Sequence, residues 1–131
     1  MIEFDYREES SEGKVILRPV ADVIIHANKL SVEAARYIDS GADMTLIPFR
    51  FGKALGFVQH VAEAIKHMHG IAGSIPYLSR KVKLQLGSDI FEAEIAWALI
   101  EEVPALLGRQ NVFDRYEITF KQKKILFKEE T

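Results

Sequence analysis

A strand-turn-strand pattern in the first half of the chain decides the fold. Residues 37–48 read YIDSGADMTLIP. Two apolar segments flank a turn at Asp39, Ser40 and Gly41, and the glycine allows the backbone to bend sharply there. A sharp turn at this point would push the Asp39 carboxylate out of the sheet. Taken alone, however, Asp-Ser-Gly is also an ordinary sequence for a solvated turn.

The rest of the pattern predicts a mainly β protein. Strands are indicated by alternating apolar and polar residues, or by short apolar runs bounded by Pro and Gly. In the hairpin over residues 80–97, lysines on one strand can pair with glutamates on the other. Short strands at regular spacing are typical of a small closed barrel. The predicted strands cover residues 14–18, 21–27, 33–38, 44–47, the 80–97 hairpin, 105–107 and a last hairpin over 116–127.

Helical patterns are few. One amphipathic helix is predicted over residues 57–68, where an apolar stripe has the spacing i, i+3, i+7 and i+10. Short helical turns are predicted at 49–55 and 109–114. Residues 7–13 are polar and predict a loop or turn. The expected organisation is an N-terminal polar segment, 1–13, followed by a single domain, 14–131.

Composition excludes several classes of function. The 131 residues suit one domain, and 48% hydrophobic with 27% charged residues is typical of a globular protein. A net charge of −2 offers no basic excess for nucleic acid or an anionic membrane. The acidic N-terminal stretch does not resemble a signal peptide, and no apolar run approaches the ~20 residues of a membrane span. A cytoplasmic protein without nucleic-acid or membrane partners is expected.

Metal and cofactor chemistry is not indicated. The chain has no cysteine, which excludes disulfides, thiolate catalysis and cysteine zinc sites. Among the four histidines, His67 and His69 are close in sequence. If the helix reaches them, residues two apart do not share a face. The sequence also lacks the zinc-protease, nucleophile-elbow, phosphate-loop and dinucleotide motifs, so no cofactor is expected.

Three motifs resemble those of the retropepsin-like aspartic proteases, in their cellular and prokaryotic branch. Residues 37–48 resemble the active-site strand-turn-strand of that family. Residues 105–109, ALLGR, look like its second signature, with Leu106, Leu107 and Gly108 as the two apolar residues and the glycine. The resemblance covers about residues 15–127 and implies a small acid-protease barrel, in which the second motif threads beside the active-site turn. A loose match to the glycine-bearing flap is formed by Gly70, Ile71, Ala72, Gly73, Ser74 and Ile75.

The resemblance also implies roles for single residues. Asp39 would be catalytic, within an active-site turn completed by Ser40, Gly41 and Ala42. Family members commonly pair an Asp four residues after the catalytic one with an Arg after the second glycine. Asp43 and Arg109 stand at those positions. They would form an ion pair, or Asp43 would contact substrate, and the alternative is two unrelated surface charges.

The implied activity is hydrolysis of peptide bonds in a peptide or protein substrate, by a water activated between two aspartates. Asp-Ser-Gly occurs once in the chain, so a homodimer would supply the second Asp39. Retroviral relatives interleave short chain ends in their dimers. This chain instead ends in a hairpin with a charged tail, so its interface is expected to differ. The alternatives are a non-catalytic peptide-binding or dimerisation module with the same fold, and a larger assembly whose partner provides the second aspartate.

Overall fold

The computed structural model describes residues 1–70 and 73–129 and consists mainly of β-strands. The helix α1 spans Phe49–Ala54, as predicted for residues 49–55, and the chain leaves it at Gly56 with a φ of 79°. The strands are β1 (Ile2–Asp5), β2 (Arg7–Ser11), β3 (Lys14–Arg18), β4 (Val20–Ala27), β5 (Leu30–Ile38), β6 (Leu46–Ile47), β7 (Lys66–Gly70), β8 (Gly73–Leu86), β9 (Asp89–Ala98), β10 (Leu106–Leu107), β11 (Tyr116–Lys121) and β12 (Lys124–Glu129).

Six strands close into a ring, which confirms the predicted small barrel. Their order is β4-β5-β10-β6-β9-β8, and a second pairing of β4 with β8 closes the ring at Ile25 and Leu84. β7 extends this sheet from the outer side of β8. The β8–β9 hairpin places Lys81 opposite Glu94 and Lys83 opposite Glu92. The predicted cross-strand charge pairs are therefore in register.

The barrel encloses one main core, and Trp97 lies within it. Its ring is 2% exposed, stacks on Phe49 at 5.4 Å between centroids, and meets the edge of Phe57 at 5.6 Å. The indole N–H donates to the carbonyl oxygen of Phe49 at 3.0 Å. A side chain at Gly52 would collide with the indole. Trp97 therefore fixes α1 against β9 and is a core residue.

The two ends of the described chain meet in a separate three-stranded sheet, ordered β1-β12-β11. β1 runs antiparallel to β12, with Ile2 opposite Phe127. Phe4 packs edge-on against Phe127 at 5.8 Å between ring centroids, and Phe127 is fully buried. The first residues thus pack against the core through apolar side chains.

The loop or turn predicted for residues 7–13 is wrong for Arg7–Ser11, which form β2, whereas β3 matches the strand predicted over residues 14–18. The two strands pair as an antiparallel hairpin. The turn uses Glu12 and Gly13, with φ of 51° and 76°, a combination suited to a tight hairpin. Its polar sequence reflects exposure on both faces and not an absence of structure. Arg7 forms an ion pair with Asp22, a contact between distant residues that local sequence does not reveal.

The amphipathic helix predicted over residues 57–68 is also wrong. The chain runs without regular structure from Phe57 to Ile65 and then enters β7 at Lys66. Helices draw most of their stability from burying an apolar face. Val58, Val61 and Ile65, three members of the stripe, are 54%, 108% and 44% exposed. The segment therefore has no buried apolar face that would stabilise a helix. Its last residues instead form a strand that pairs with β8.

Residues 109–114 form consecutive turns in place of the predicted short helix. The amides of Val112 and Phe113 both donate to the carbonyl oxygen of Arg109, at 3.0 and 2.9 Å. Asn111 then interrupts helical geometry with a φ of 65°. Its side-chain oxygen accepts a hydrogen bond from the amide of Glu94, which fixes this turn to β9.

No helix in the described part of the chain has the length and apolarity needed to cross a membrane.

Candidate active site

Hydrogen bonds to β10 and within the turn itself hold the turn at Asp39. The amide of Asp39 donates to the carbonyl oxygen of Leu107 at 3.1 Å, across to β10. Within the turn, the amide of Gly41 donates to Asp39 Oδ1 at 2.8 Å, and that of Ala42 to the Asp39 carbonyl oxygen at 3.2 Å. The residue Asp39 is half-buried. Its orientation is thus set by the backbone of its own turn.

The second motif lies where the resemblance places it, between the two strands that flank the turn. β10 runs parallel to β5, with Leu107 beside Ile38, and antiparallel to β6, with Leu106 opposite Leu46. Gly108 then passes directly against the backbone of Met44, where an added Cβ would collide with the peptide group. Only glycine allows the two backbones to come this close.

Thr45 is a residue of the site that the sequence analysis did not single out. It is fully buried, and its hydroxyl oxygen accepts a hydrogen bond from the amide of Gly108 at 3.1 Å. This bond ties β10 to the strand after the turn. The signal was a hydroxyl residue between the apolar residues Met44 and Leu46, where an unpartnered polar group would be unfavourable.

Arg109 links the second motif to the turn through three groups. Its amide donates to the carbonyl oxygen of Ala42 at 2.9 Å, and its guanidinium Nη1 donates to that of Ser40 at 2.9 Å. Nη2 forms an ion pair with Asp43. The side chains of Arg109 and Asp43 are 49% and 85% exposed, so water screens the pair. These contacts indicate that Arg109 positions the turn at Asp39 and contributes little to the stability of the fold.

An apolar cluster extends from the turn to the hairpin matched to the flap. Leu46 and Ala96 are buried in it, and residues of both β7 and β8 pack against them. β7 pairs with β8 up to Gly70 and Gly73. Ile71 and Ala72 of the flap match lie outside the described residues. The half-buried members of the cluster are Met44, Met68, Ile75, Tyr77, Val103 and Leu106.

A cavity of about 400 Å³ opens beside Asp39. Its walls include Tyr37 and Leu106 from the barrel, and Glu9 and Arg18 from the β2–β3 hairpin. The Tyr37 hydroxyl donates to the Glu9 carboxylate, and this hydrogen bond raises the pKa of Tyr37. A larger cavity, about 760 Å³, lies along the polar β8–β9 face and does not include Asp39. Of these two cavities, the one of about 400 Å³ has Asp39 in its wall.

In the part of the chain that the structure describes, the histidines do not gather with other metal ligands into groups of three or more. Because His67 and His69 lie on strand β7 and not on a helix, they share one face after all, with His67 opposite Pro76 and His69 opposite Ser74. Within residues 1–70 and 73–129, no group of three or more His, Asp or Glu side chains could hold a metal ion.

Two of the solved structures that are similar to this chain show the shared architecture. A retropepsin-like aspartic protease from Rickettsia conorii matches with a TM-score of 0.66 and 15% identity, covering 96% of this chain and 99% of that one. The EIAV protease, solved with the inhibitor HBY-793, matches with a TM-score of 0.58 and 20% identity, covering 81% and 92%. No family model matches the sequence. No curated protein matches it either. The fold is therefore retropepsin-like, as the three sequence motifs predicted.

Proposed function

We propose that this chain is one subunit of an aspartic endopeptidase, in which Asp39 from each of two copies forms the catalytic pair. The observation that carries the proposal is the backbone frame around Asp39. β10 lies between the strands on either side of the turn, and the amide of Asp39 donates to Leu107. A solvated turn would need no such frame. In this chain the frame holds the Asp39 carboxylate at the wall of a cavity.

The chemistry requires two carboxylates that share one proton. Like charges about 3 Å apart cannot both ionise, so the pair titrates in two separated steps. The ionised carboxylate accepts a proton from a water molecule as that water attacks the scissile carbonyl carbon. The protonated carboxylic acid donates to the carbonyl oxygen. One Asp39 therefore acts as base while its copy acts as acid.

A homodimer supplies this pair in the simplest way. The sequence Asp-Ser-Gly occurs once, so a single chain holds half of the site. A two-fold axis beside the turn would place Asp39 opposite its own copy in an isologous interface. Ser40 is exposed at the same turn and would face the partner copy.

An extended peptide is the substrate class that fits the cleft. The half-buried cluster between the turn and the β7–β8 hairpin offers apolar surface for side chains. The outer edge of β7, which is the last strand of its sheet in the described chain, offers backbone groups for strand-like pairing with a peptide. Closure of such a hairpin over the peptide would exclude bulk water from the carboxylates.

The deciding experiment measures hydrolysis of a diverse peptide library from pH 3 to 8 by the wild type and by Asp39→Asn. Asp114→Asn is the matched control, because Asp114 is exposed and lies outside the turn. The expected result is cleavage by the wild type and by the control, inhibition by a statine-type transition-state mimic, and an inactive but folded Asp39→Asn dimer. Cleavage that survives in Asp39→Asn would reject the assignment. Absence of cleavage by the wild type would favour the non-catalytic peptide-binding module.

A further inference from the structure

The β2–β3 hairpin is an exposed arm with an apolar strand. All five residues of β3 are exposed, and Val15, Ile16 and Leu17 are 65%, 37% and 38% accessible. Within the described chain, β2 and β3 pair with each other as a separate two-stranded sheet. Isolated two-stranded ribbons are marginal in water, and consecutive exposed apolar residues are unfavourable unless something covers them.

The two faces of the arm differ in what they meet. Directly opposed residues of an antiparallel pair share a face, so Glu9 and Ile16 lie on one face. That face turns toward the barrel, because Glu9 accepts a hydrogen bond from Tyr37. Val15 and Leu17 lie on the other face, opposite Ser10 and Glu8. The outward face therefore presents two aliphatic side chains away from the chain's own core.

The arm lies next to the candidate carboxylate. Glu9 and Arg18, at its base, line the same cavity as Asp39. The turn at Glu12 lies three residues beyond Glu9, which in a strand is about 10 Å farther out. If Asp39 approaches its own copy to within about 3 Å, as the proposed function requires, the elements that share its cavity must come close to the two-fold axis.

The terminal strands β1 and β12 already pair with each other, so they could be exchanged between two copies only after rearrangement. β1 pairs with β12 along its full length, and the aromatic contact between Phe4 and Phe127 anchors the two strands. A shared sheet built from exchanged chain ends would have to break these contacts. The arm needs no rearrangement, because its apolar face is already exposed.

We propose that the β2–β3 arm is the dimerisation element of this protein, packing its Val15 and Leu17 face against a second copy of the chain. The partner is the same chain because the half-site beside the arm needs a second Asp39 to be complete. The proposal rests on the proposed function in this respect. It assigns the interface to residues 7–18 and not to the paired chain ends.

The test compares Val15→Lys/Leu17→Lys with the control Ile90→Lys in the full chain. Ile90 is 54% exposed on β9 and does not line the cavity at Asp39. Sedimentation equilibrium should show a dimer dissociation constant raised about 100-fold or more for the double variant, as for loss of an interface hot spot, and unchanged for the control. Thermal unfolding checks that the double variant remains folded. A double variant that dimerises like the wild type, or a monomeric wild type, would overturn the proposal.

A second measurement does not depend on weakening the dimer. The chain has no cysteine, so Val15→Cys and Ile90→Cys each carry a single thiol. A short bismaleimide should crosslink two copies of Val15→Cys and leave Ile90→Cys uncrosslinked. Crosslinking of Ile90→Cys alone would place the interface elsewhere and contradict the proposal.

Peptide hydrolysis separates this proposal from the proposed function. A wild type that dimerises through the arm but cleaves no peptide contradicts the catalytic assignment and supports the arm as the interface. A wild type that cleaves peptides, together with a double variant that remains dimeric and active, overturns the arm and supports the assignment of Asp39.

Discussion

The backbone of Gly108 lies directly against the peptide group of Met44, so that the second motif touches the strand that leaves the Asp39 turn. The amide of Gly108 donates to the buried Thr45 hydroxyl at this point, at 3.1 Å. Close backbone contact and the hydrogen bond together keep the turn in register with β10. Each can be tested by a single substitution.

Gly108→Ala should destabilise the fold by about 1–3 kcal/mol or more, because the added methyl group overpacks a contact between two backbones. Urea denaturation followed by circular dichroism measures this change in free energy of unfolding. Gly13→Ala is the control, since a Cβ added there would have no atom within 4 Å and only the φ of 76° is unfavourable for alanine. The control should lose about 1 kcal/mol. Equal effects at the two positions would contradict the close contact.

Thr45→Val should reduce the free energy of unfolding by about 1–3 kcal/mol, because the shape is nearly kept while the amide of Gly108 loses its acceptor in a buried site. Thr45→Ser keeps the hydroxyl and is the matched variant. It should lose less than Thr45→Val if the hydrogen bond matters. The same urea titration distinguishes the two, and the reverse order would show that the methyl group dominates.

Asp43→Asn should change stability by less than about 1 kcal/mol, because the pair with Arg109 is exposed and screened. The kcat/KM for peptide hydrolysis should nevertheless fall. Arg109 also donates to the Ser40 carbonyl oxygen at 2.9 Å, so releasing its side chain from Asp43 disturbs the position of the turn. Comparison of kcat/KM with the unfolding midpoint separates the two effects. Arg115→Gln, which breaks the exposed pair with Glu129, is the control and should leave kcat/KM unchanged.

Arg36→Met should stabilise the protein. The Arg36 side chain is fully buried, and its Nε and Nη2 have no hydrogen-bond partner within residues 1–70 and 73–129. Burial lowers the pKa of Arg36 to about 10. Because a pKa unit corresponds to about 1.4 kcal/mol, removing the charge should gain about 1–3 kcal/mol after the loss of its contact with Phe51.

The pH dependence of Arg36 gives an independent check. Since the folded-state pKa is lowered, the unfolded chain holds the proton more tightly, and wild-type stability attributable to this group should rise above about pH 10. The control is Arg50→Met, which also stacks on Phe51, at 4.6 Å, but is 60% exposed. Its free energy of unfolding should change by less than about 1 kcal/mol. Destabilisation by Arg36→Met would indicate a partner for the guanidinium.

Glu63→Gln should loosen the segment between α1 and β7. Arg80 donates to both Glu63 oxygens, at 2.6 and 2.8 Å, and to the Val58 carbonyl oxygen at 2.6 Å. The hydrogen bond from Arg80 lowers the pKa of Glu63 to about 2. The contribution of Glu63 is therefore present above about pH 4.5 and lost as the pH falls toward 2.

Thermal unfolding at several pH values measures this contribution. The melting temperatures of wild type and Glu63→Gln should differ at pH 7 and converge near pH 2. Limited proteolysis at pH 7 should cut the variant faster within residues 57–65. Glu101→Gln, which breaks the exposed pair with Arg50, is the control and should show neither effect. A gap in melting temperature that persists at pH 2 would contradict the ionic origin.

The barrel could be predicted because most of its strands carry their own signal. The alternation over residues 80–97 and the turn at Asp39 are local patterns, and they fix strand direction and position. The irregular segment shows the limit of such patterns. Val58, Val61 and Ile65 have helical spacing but are exposed, and periodicity does not report whether a complementary surface exists. The Arg80 side chain that holds this segment lies 17 residues from Glu63 in sequence.

The residues of the candidate site also divide into those that local motifs predicted and those whose role depends on partners distant in sequence. Asp39 and Gly108 were predicted from motifs that demand a carboxylate and a residue without a side chain. Thr45 was missed because its role depends on a partner 63 residues away. Strand β3 was predicted over residues 14–18, but β2 was missed because the contacts that hold the hairpin, from Glu9 to Tyr37 and from Arg7 to Asp22, are also distant in sequence.

The threading of β10 between β5 and β6 has a consequence for the timing of folding. Leu106 pairs with Tyr37 across 69 positions, so the frame around Asp39 closes a long loop. Non-local pairing of this kind forms late, after more local hairpins have reduced the entropy of the intervening chain. During synthesis, a nascent chain exposes Asp39 long before Leu107 has been made. The carboxylate is therefore unframed at least until Leu107 has been synthesised and has left the ribosome.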